Sequence, residues 1–354
     1  MKKVVDTFVP MGGRHCITNA LKQMFYFYGL PLSEEMLFGV ASGLSFLYLN
    51  QAASPMISGR TKIFEFEQKL ANRLHIEIKC RQPKHYDGAC MHTKSMLDQN
   101  EPVLIYADMP CLPYLNLEQS SHFGGHAVVI FGYDDENECY YVSDRDNHDY
   151  GIRTPAGTSS KDYHLVRYED MKLARNSRHR PFPANNKYLE FDFSGFRPVT
   201  AAVIISAIKE TCETMLDPPA RLLGLNGIAK FAREIKTWNK FGSDKLRLAG
   251  ITNYFQIHAD GGTGGGIFRN MYGCFLLESD ACLPGLGLAA VGRDYISLAG
   301  QWDNLASSMR SLGETGDTVL LDEMSKKITC LCEAERALLL ELQRICKRAS
   351  VDSL

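Results

Sequence analysis

Apolar residues recur with helical spacing near the start of the chain. Ile17, Ala20, Leu21, Met24 and Tyr28 fall on one face of an α-helix. Two glycines precede this run, and a glycine and a proline follow it, as expected at the two ends of a helix. The pattern therefore predicts a first helix with residue 16 in its opening turn.

Two more helices are predicted before the first clear strands. Ser33 is a good N-cap residue, and Glu34 and Glu35 suit the first turn of the helix that would follow it. We interpret these three residues only as a helix start. A further helix is predicted over about residues 61–74, where apolar residues again share one face.

Strand patterns dominate the next part of the chain. Short runs rich in β-formers cover residues 75–80, 102–107, 126–133 and 139–144. The polar sequence DDENE separates the last two runs, which predicts an antiparallel hairpin. Residues 145–195 are polar and contain several prolines, and we interpret them as irregular excursions and a linker.

The second half of the chain is predicted to be mainly helical. Helical patterns cover residues 199–215, 219–239, 244–258, 268–278 and the leucine-rich tail, 318–347. The tail is typical of a buried core helix and is also compatible with a homodimer interface. Helices first, then strands, then helices predict an α+β protein with domains at 1–195 and 196–354.

Composition narrows the classes of function. The 354 residues are 45% hydrophobic and 23% charged, with a net charge of -2, so nucleic-acid and anionic-membrane partners are not expected. No run reaches the ~18 apolar residues that span a bilayer. The eleven scattered cysteines indicate a reducing compartment, and we expect a cytoplasmic protein without disulfides.

Candidate metal ligands are weak. Cys330 and Cys332 have the wrong spacing for a zinc knuckle. His85, Cys90 and His92 lie close together but lack a fourth ligand with suitable spacing. We therefore expect neither a metal nor a cofactor.

Cys16 is the candidate nucleophile. A thiol reacts as the thiolate, which the N-terminus of a helix and a nearby imidazolium both stabilise. The polar neighbours of Cys16 suit a core position poorly, since Arg14 and His15 precede it and Thr18 and Asn19 follow. The opening turn of the first helix could thus activate this thiol and face a developing oxyanion with its N–H groups.

His126 is the candidate base and Asp144 its partner. A hairpin turn near residues 135 and 136 places residues opposite each other when their numbers sum to about 271, so His126 would face residues 144–145. An aspartate there would orient the imidazole. A bulge would favour Asp146 instead, and His122 and His148 are rival bases. His15 is adjacent to Cys16 and would point away from it.

The glycine-rich run DGGTGGG precedes a predicted helix. Its N–H groups could cradle a phosphate or carboxylate, helped by a nearby arginine. The run does not follow a strand, so it is not a dinucleotide fingerprint. A flexible connector is the alternative interpretation. The candidate ligand-binding residues here are Gly264, Gly265, Gly266 and Arg269.

Three segments carry a family resemblance. The sequence GRHCITNALKQMFYFYGLPLSEEMLFGVASGLSFLY resembles the start of the butirosin-biosynthesis H-type N-terminal domain. The sequence HAVVIFGYDDENECYYVSDRD is similar to the His–Asp half of papain-like enzymes, and TGGGIFRNMYGCFLLES resembles the helical domain that accompanies the H-type domain. The resemblance extends over roughly residues 5–346.

This resemblance implies a papain-like fold for residues 1–195, with Cys16, His126 and Asp144 as nucleophile, base and orienting acid. It also implies an acyltransferase that takes an acyl group from the phosphopantetheine thioester of an acyl carrier protein and gives it to an amine of a small molecule. Papain-like enzymes often carry a glutamine before the cysteine, whereas this chain has Pro10 and Met11 there.

The oxyanion would therefore rely on the N–H of Cys16 and on a second donor, Asn19 or Thr18. The alternatives for the whole chain are a peptidase or amidase with the same three residues and an inert binding or scaffold protein.

Overall fold

The structure is a computed structural model that describes residues 1–118, 122–146, 153–154, 157–158 and 161–351. The strands in these ranges are β1 Lys2–Val4, β2 Leu44–Asn50, β3 Pro55–Arg60, β4 Glu77–Arg81, β5 Val103–Ala107, β6 His126–Asp134, β7 Cys139–Ser143, β8 Arg153–Thr154, β9 Gly157–Thr158, β10 His164–Arg167 and β11 Tyr188–Asp192. The α-helices are α1 Cys16–Phe27, α2 Glu34–Val40, α3 Glu65–Leu74, α4 Tyr86–Asp98, α5 Tyr168–Asn176, α6 Ala201–Leu216, α7 Gly224–Glu234, α8 Ser243–Ile257, α9 Arg269–Asp280, α10 Leu288–Thr315 and α11 Leu320–Val351.

The chain divides into two compact units. The sheet unit consists of Met1–Leu37 and Leu74–Arg197, and the helical unit consists of Phe38–Arg73 and Pro198–Leu354. The α+β class is therefore confirmed. The division differs from the predicted one at residue 195, because the segment from Phe38 to Arg73 clusters with the second half of the chain.

The sheet unit is built on an antiparallel sheet. Its strand order is β10-β7-β6-β5-β11-β4, and β1 pairs with the far end of β6, beyond the part that β5 covers. Strands β5 and β6 are buried at every position. Helix α1 packs against β6 and β5. Its inner face is the predicted one, and Ile17, Leu21 and Met24 are almost completely buried.

The predicted hairpin is present as β6 and β7, with one irregularity. Val129 lies opposite Ser143, and the register shifts between Ile130 and Gly132. The bulge moves each pair one or two positions from the predicted alignment. His126, the first residue of β6, lies beyond the end of the β6–β7 pairing, which begins at Val129.

Some elements escaped the sequence analysis. Residues 145–195 were expected to be irregular, yet they contain α5, β10 and β11. Helix α4 was also missed, and its sequence YDGACMHTKSMLD includes a glycine and few periodic apolar residues. Strand β10 extends the sheet by pairing with β7, and β11 pairs with both β4 and β5.

The helical unit contains α6–α11 and a two-stranded sheet of β2 and β3. The predicted helices near 199–215, 244–258 and 318–347 correspond to α6, α8 and α11, whereas α10 was not predicted. Both tryptophans, Trp238 and Trp302, are fully buried in this unit. Trp302 of α10 packs against Phe46 of β2 with ring centroids 5.9 Å apart.

Candidate active site

Cys16 is the first residue of α1. The preceding His15 has extended backbone angles, φ -133° and ψ 137°, so the helix begins at the cysteine itself. The thiol thus lies at the positive end of the helix dipole, which favours a thiolate. Cys16 is buried, with 7% of the residue exposed.

His126 and Asp144 lie side by side at the open end of the β6–β7 hairpin. The Nε2 atom of His126 donates to Oδ2 of Asp144 at 2.6 Å, and both residues are buried. The side chain of His126 also hydrogen bonds to Cys16. Because Nε2 is engaged with the carboxylate, Nδ1 is the ring atom available to the thiol.

The pKa values of this group favour a charged pair. Burial lowers the pKa of His126, but the carboxylate of Asp144 and the hydrogen bond with Cys16 outweigh it and raise the pKa to about 10. Burial raises the pKa of Asp144, yet the His126 imidazolium and the N–H of Arg145 bring it down to about 2. The arrangement thus stabilises an imidazolium beside the carboxylate of Asp144.

Hydrogen bonds tie the hairpin to the segment that carries Cys16. The N–H of Gly13 donates to the carbonyl of Arg145 at 2.9 Å. The hydroxyl of Ser143 donates to Oε1 of Gln23 on α1 at 2.6 Å. These bonds flank Asp144 on both sides along the chain, so they hold the thiol, the imidazole and the carboxylate in one place.

Glu34 has a role that the sequence analysis missed. Its carboxylate is 3% exposed and accepts hydrogen bonds from the N–H groups of Arg14 and His15 and from the hydroxyl of Thr18. Lys22 lies 3.6 Å away and balances part of the charge. Glu34 is therefore more than the first residue of α2, because it anchors the turn that precedes Cys16.

Thr18 and Asn19, the predicted second oxyanion donors, make side-chain hydrogen bonds within the fold. Thr18 is fully buried, and its hydroxyl lies 2.7 Å from Glu34. Asn19 is 1% exposed and donates to the carbonyl of Met11 at 3.0 Å. Both side chains hold the turn before the helix, and their role as oxyanion donors stays a prediction.

The rival acid–base residues lie elsewhere or in other pairs. Nδ1 of His122 lies 2.8 Å from Asp108, and its ring stacks on His179. Asp146, the alternative partner for His126, instead pairs with His164 at 3.1 Å. His148 lies outside the described residues.

Tyr114 is a second residue that the sequence analysis missed. Its hydroxyl donates to Oδ2 of Asp144 at 2.8 Å, the same oxygen that accepts from His126. Its ring stacks on His164 with centroids 3.7 Å apart. Tyr114 lies in a 3-10 turn, Pro113–Leu115, whose three residues show no periodic pattern that could have revealed it.

The glycine-rich segment makes many of its polar contacts within the helical unit. Arg269 is fully buried, and its guanidinium donates to both carboxylate oxygens of Glu335 and to the carbonyl of Ile267. The N–H groups of Gly265 and Gly266 donate to Thr263 and Asp303, and the carbonyl of Gly264 accepts from Asn270. The ligand role of this set stays a prediction.

No group of three or more metal-ligating residues with suitable geometry occurs within the residues that the structure describes. The thiol of Cys90 contacts the hydroxyl of Tyr140 at 3.1 Å, and His92 stacks on Tyr188. In the same described ranges, no helix combines the length and apolar character needed to cross a bilayer.

Two family models match the chain. The model of the N-terminal domain of butirosin biosynthesis protein H matches residues 15–145, and a domain of unknown function, DUF4872, matches residues 169–342.

A curated relative from Niallia circulans is 38% identical over 53 residues. It is a ribostamycin:4-(gamma-L-glutamylamino)-(S)-2-hydroxybutanoyl-[BtrI acyl-carrier protein] 4-(gamma-L-glutamylamino)-(S)-2-hydroxybutanoate transferase. The match covers 15% of this chain and 18% of the relative.

Proposed function

This chain contains an N-terminal domain of the butirosin biosynthesis protein H family, and from that premise we propose that it is a cysteine-dependent acyltransferase. Cys16 would carry the acyl group between a thioester donor and an amine of a small molecule. The observation that supports this most is the hydrogen bonding of His126 to both Cys16 and Asp144. The antiparallel sheet behind this group also supports a papain-like fold for the sheet unit.

The first half-reaction is a thioester exchange. The thiolate of Cys16 attacks the donor carbonyl, and the oxyanion forms at the positive end of α1. When the tetrahedral intermediate collapses, the C–S bond to the donor breaks and the departing thiolate takes a proton from the His126 imidazolium. The products are an acyl–Cys16 thioester and the free donor thiol.

The second half-reaction transfers the acyl group to nitrogen. Neutral His126 accepts a proton from the attacking amine, the amide bond forms, and Cys16 leaves as the thiolate. Asp144 stabilises the imidazolium in both steps through its 2.6 Å bond to Nε2. The low exposure of Cys16, 7%, supports transfer because it restricts the access of water to the acyl group.

An acyl carrier protein is the proposed donor. The Niallia circulans relative transfers its acyl group from a carrier protein, as its name states. A thioester has a better leaving group than an amide, so the altered residues before Cys16, Pro10 and Met11, matter less for this donor than for a peptide. The acceptor would be a small-molecule amine.

A peptidase or amidase is the alternative. The same thiol, imidazole and carboxylate can hydrolyse an acyl–Cys16 intermediate if water replaces the amine. The two functions differ in the fate of that intermediate, and both require Cys16.

Intact-mass spectrometry tests the proposal. The chain is mixed with N-acetylcysteamine thioesters of several short acyl chains, beside the Cys16→Ala variant. We expect one acyl adduct on the native chain and none on Cys16→Ala. For a transferase, the adduct should have a much shorter lifetime with added amines than in buffer alone. A rapid loss of the adduct in buffer alone would support the hydrolase.

Cys139→Ala is the matched control, because Cys139 is a buried cysteine of the same unit and lies on β7. This variant should form the adduct as the native chain does. An adduct that persists in Cys16→Ala, or the absence of any adduct on the native chain, would contradict the assignment of the nucleophile.

A further inference from the structure

The polar network around Asp144 extends beyond His126. Oδ2 of Asp144 accepts from Nε2 of His126 at 2.6 Å and from the Tyr114 hydroxyl at 2.8 Å. Oδ1 accepts from the N–H of Arg145 at 2.6 Å. Three donors thus fix the plane of the carboxylate of Asp144, a residue that is 2% exposed. Of these donors, His126 is the proposed base and Arg145 is the next residue in the chain. Tyr114 is neither.

Tyr114 is itself held by a second buried histidine–aspartate pair. Its ring lies 3.7 Å from that of His164 at an interplanar angle of 7°. Nε2 of His164 lies 3.1 Å from Oδ1 of Asp146, and both residues are buried. The stack fixes the ring of Tyr114, and the hydroxyl at its end is thereby aimed at Asp144.

We propose that Tyr114 is a positioning residue that orients Asp144 and weakens its attraction for His126, and that the His164–Asp146 pair holds Tyr114 in this position. The inference rests on the proposed function for its catalytic meaning. The effect acts through one shared oxygen atom, Oδ2 of Asp144, so it can be tested without a substrate.

The direction of the effect follows from that shared oxygen. A carboxylate oxygen that accepts two hydrogen bonds has part of its charge drawn toward each donor, so its attraction for either one is reduced. Without the Tyr114 hydroxyl, Oδ2 would face His126 alone and stabilise the imidazolium more strongly. The pKa of His126 should then rise further above its ordinary value.

The Tyr114 variant must leave the other charged and titratable groups of the network unchanged. Those that act electrostatically on His126, Asp144, Tyr114 or the second pair are Cys16, Arg145, Asp146 and His164. Replacing Tyr114 by phenylalanine leaves all of them in place, retains the ring that stacks on His164, and removes only the donor.

The experiment is an NMR titration of the His126 imidazole in the full chain, with the histidine signals assigned by substitution. In Tyr114→Phe we expect the inflection of His126 to move upward by about half a pH unit or more, the scale of one weakened charge-assisted contact. His164→Gln, which removes the stack, should move it in the same direction by a smaller amount.

Tyr168→Phe is the matched control, because the Tyr168 hydroxyl donates to the carboxylate of Asp135 at 2.8 Å, at the turn end of the same hairpin. This variant should leave the His126 inflection unchanged.

An unchanged or lowered inflection in Tyr114→Phe overturns the proposal, as does an equal shift in Tyr168→Phe. Either result is independent of whether Cys16 forms an acyl adduct. Failure of the acyl-enzyme experiment alone would overturn the proposed function and leave the positioning of Asp144 by Tyr114 standing.

Discussion

The N-terminus of α1 and the glycine-rich segment before α9 look alike in sequence but differ in structure. Each combines glycines, a nearby arginine and a helix start, and each was predicted to face a ligand. At α1, hydrogen bonds run from Asp144 through His126 to the thiol of Cys16, a residue that is 7% exposed. At the start of α9, the side chain of Arg269 is fully buried and donates hydrogen bonds to Glu335.

The difference shows what separates the proposed reactive site from a structural one. In the glycine-rich segment, the main donors of Arg269 and the N–H groups of Gly265 and Gly266 have partners within the unit. At α1, the hydrogen-bonded series of side chains ends on the thiol of Cys16, the proposed nucleophile. The residue types near a helix start do not distinguish the two cases. What distinguishes them is which polar groups use their hydrogen bonds within the fold, because a group with such partners has less to offer a ligand.

The largest effect that would sharpen this comparison is expected from His126→Ala. The rate of acyl transfer to Cys16 should fall about 10³- to 10⁴-fold, because the general acid and the counter-ion of the thiolate are lost together. Single-turnover kinetics with the thioester that labels Cys16 would measure it.

His122→Ala supplies the matched control for that rate, since His122 also pairs with a buried aspartate, Asp108, at 2.8 Å. Its rate should stay within about three-fold of the native rate. A comparable loss in both variants would mean that the His126–Asp144 pair has no special role.

The second effect concerns stability rather than rate. Arg269→Met leaves the fully buried carboxylate of Glu335 without its partner, which should lower the free energy of unfolding by about 3–5 kcal/mol. Both tryptophans lie in the helical unit, so urea unfolding followed by tryptophan fluorescence reports on this unit. Adding Glu335→Leu should restore much of the loss.

Two controls frame that measurement. Arg310→Met removes an exposed pair with Glu314, whose side chains are 57% and 56% exposed, and should change stability by less than about 1 kcal/mol. Acylation of Cys16 should be unaffected by Arg269→Met. Normal stability combined with slow acylation would support Arg269 as a ligand-binding residue.

Local patterns explain what the sequence could predict. Helix α1 and the β6–β7 hairpin are encoded by short periodic runs with clear end signals, and both are present close to the expected bounds. The contact between His126 and Asp144 followed from the hairpin even though the bulge shifted the register. The side chains of strand neighbours and of diagonal positions both lie within reach, so a shift of one residue did not separate them.

The missed features depend on partners distant in sequence. Glu34 was predicted as a helix start, which it is, but its contacts with the turn before Cys16 arise from tertiary packing. Tyr114 lies in a 3-10 turn whose sequence has no periodicity, and it contacts Asp144, which is 30 positions away in the chain. The segment from Phe38 to Arg73 joins the helical unit although it lies between parts of the sheet unit in sequence, which no local pattern reveals.

The smallest effect is a pH dependence that separates the two regions. The pKa of His126 is raised to about 10 in the folded chain from an ordinary value of 6.5. Its contribution to stability is therefore fully present below pH 6.5 and is lost as the pH rises through about 10. The pKa of Asp144 is lowered to about 2 from 3.8, so its contribution is present above pH 3.8 and is lost as the pH falls through about 2.

Hydrogen exchange of the β6 and β7 amides across this range would measure the effect in the sheet unit. Protection should decline from pH 6.5 toward about pH 10 in the native chain, after correction for intrinsic exchange, and this decline should be weaker in Asp144→Asn. The Arg269–Glu335 pair should show no matching alkaline decline, because a guanidinium stays protonated there. An equal alkaline decline in native and Asp144→Asn chains would mean that the charged His126–Asp144 pair does not stabilise the fold, and the contrast between the two regions would then rest on reactivity alone.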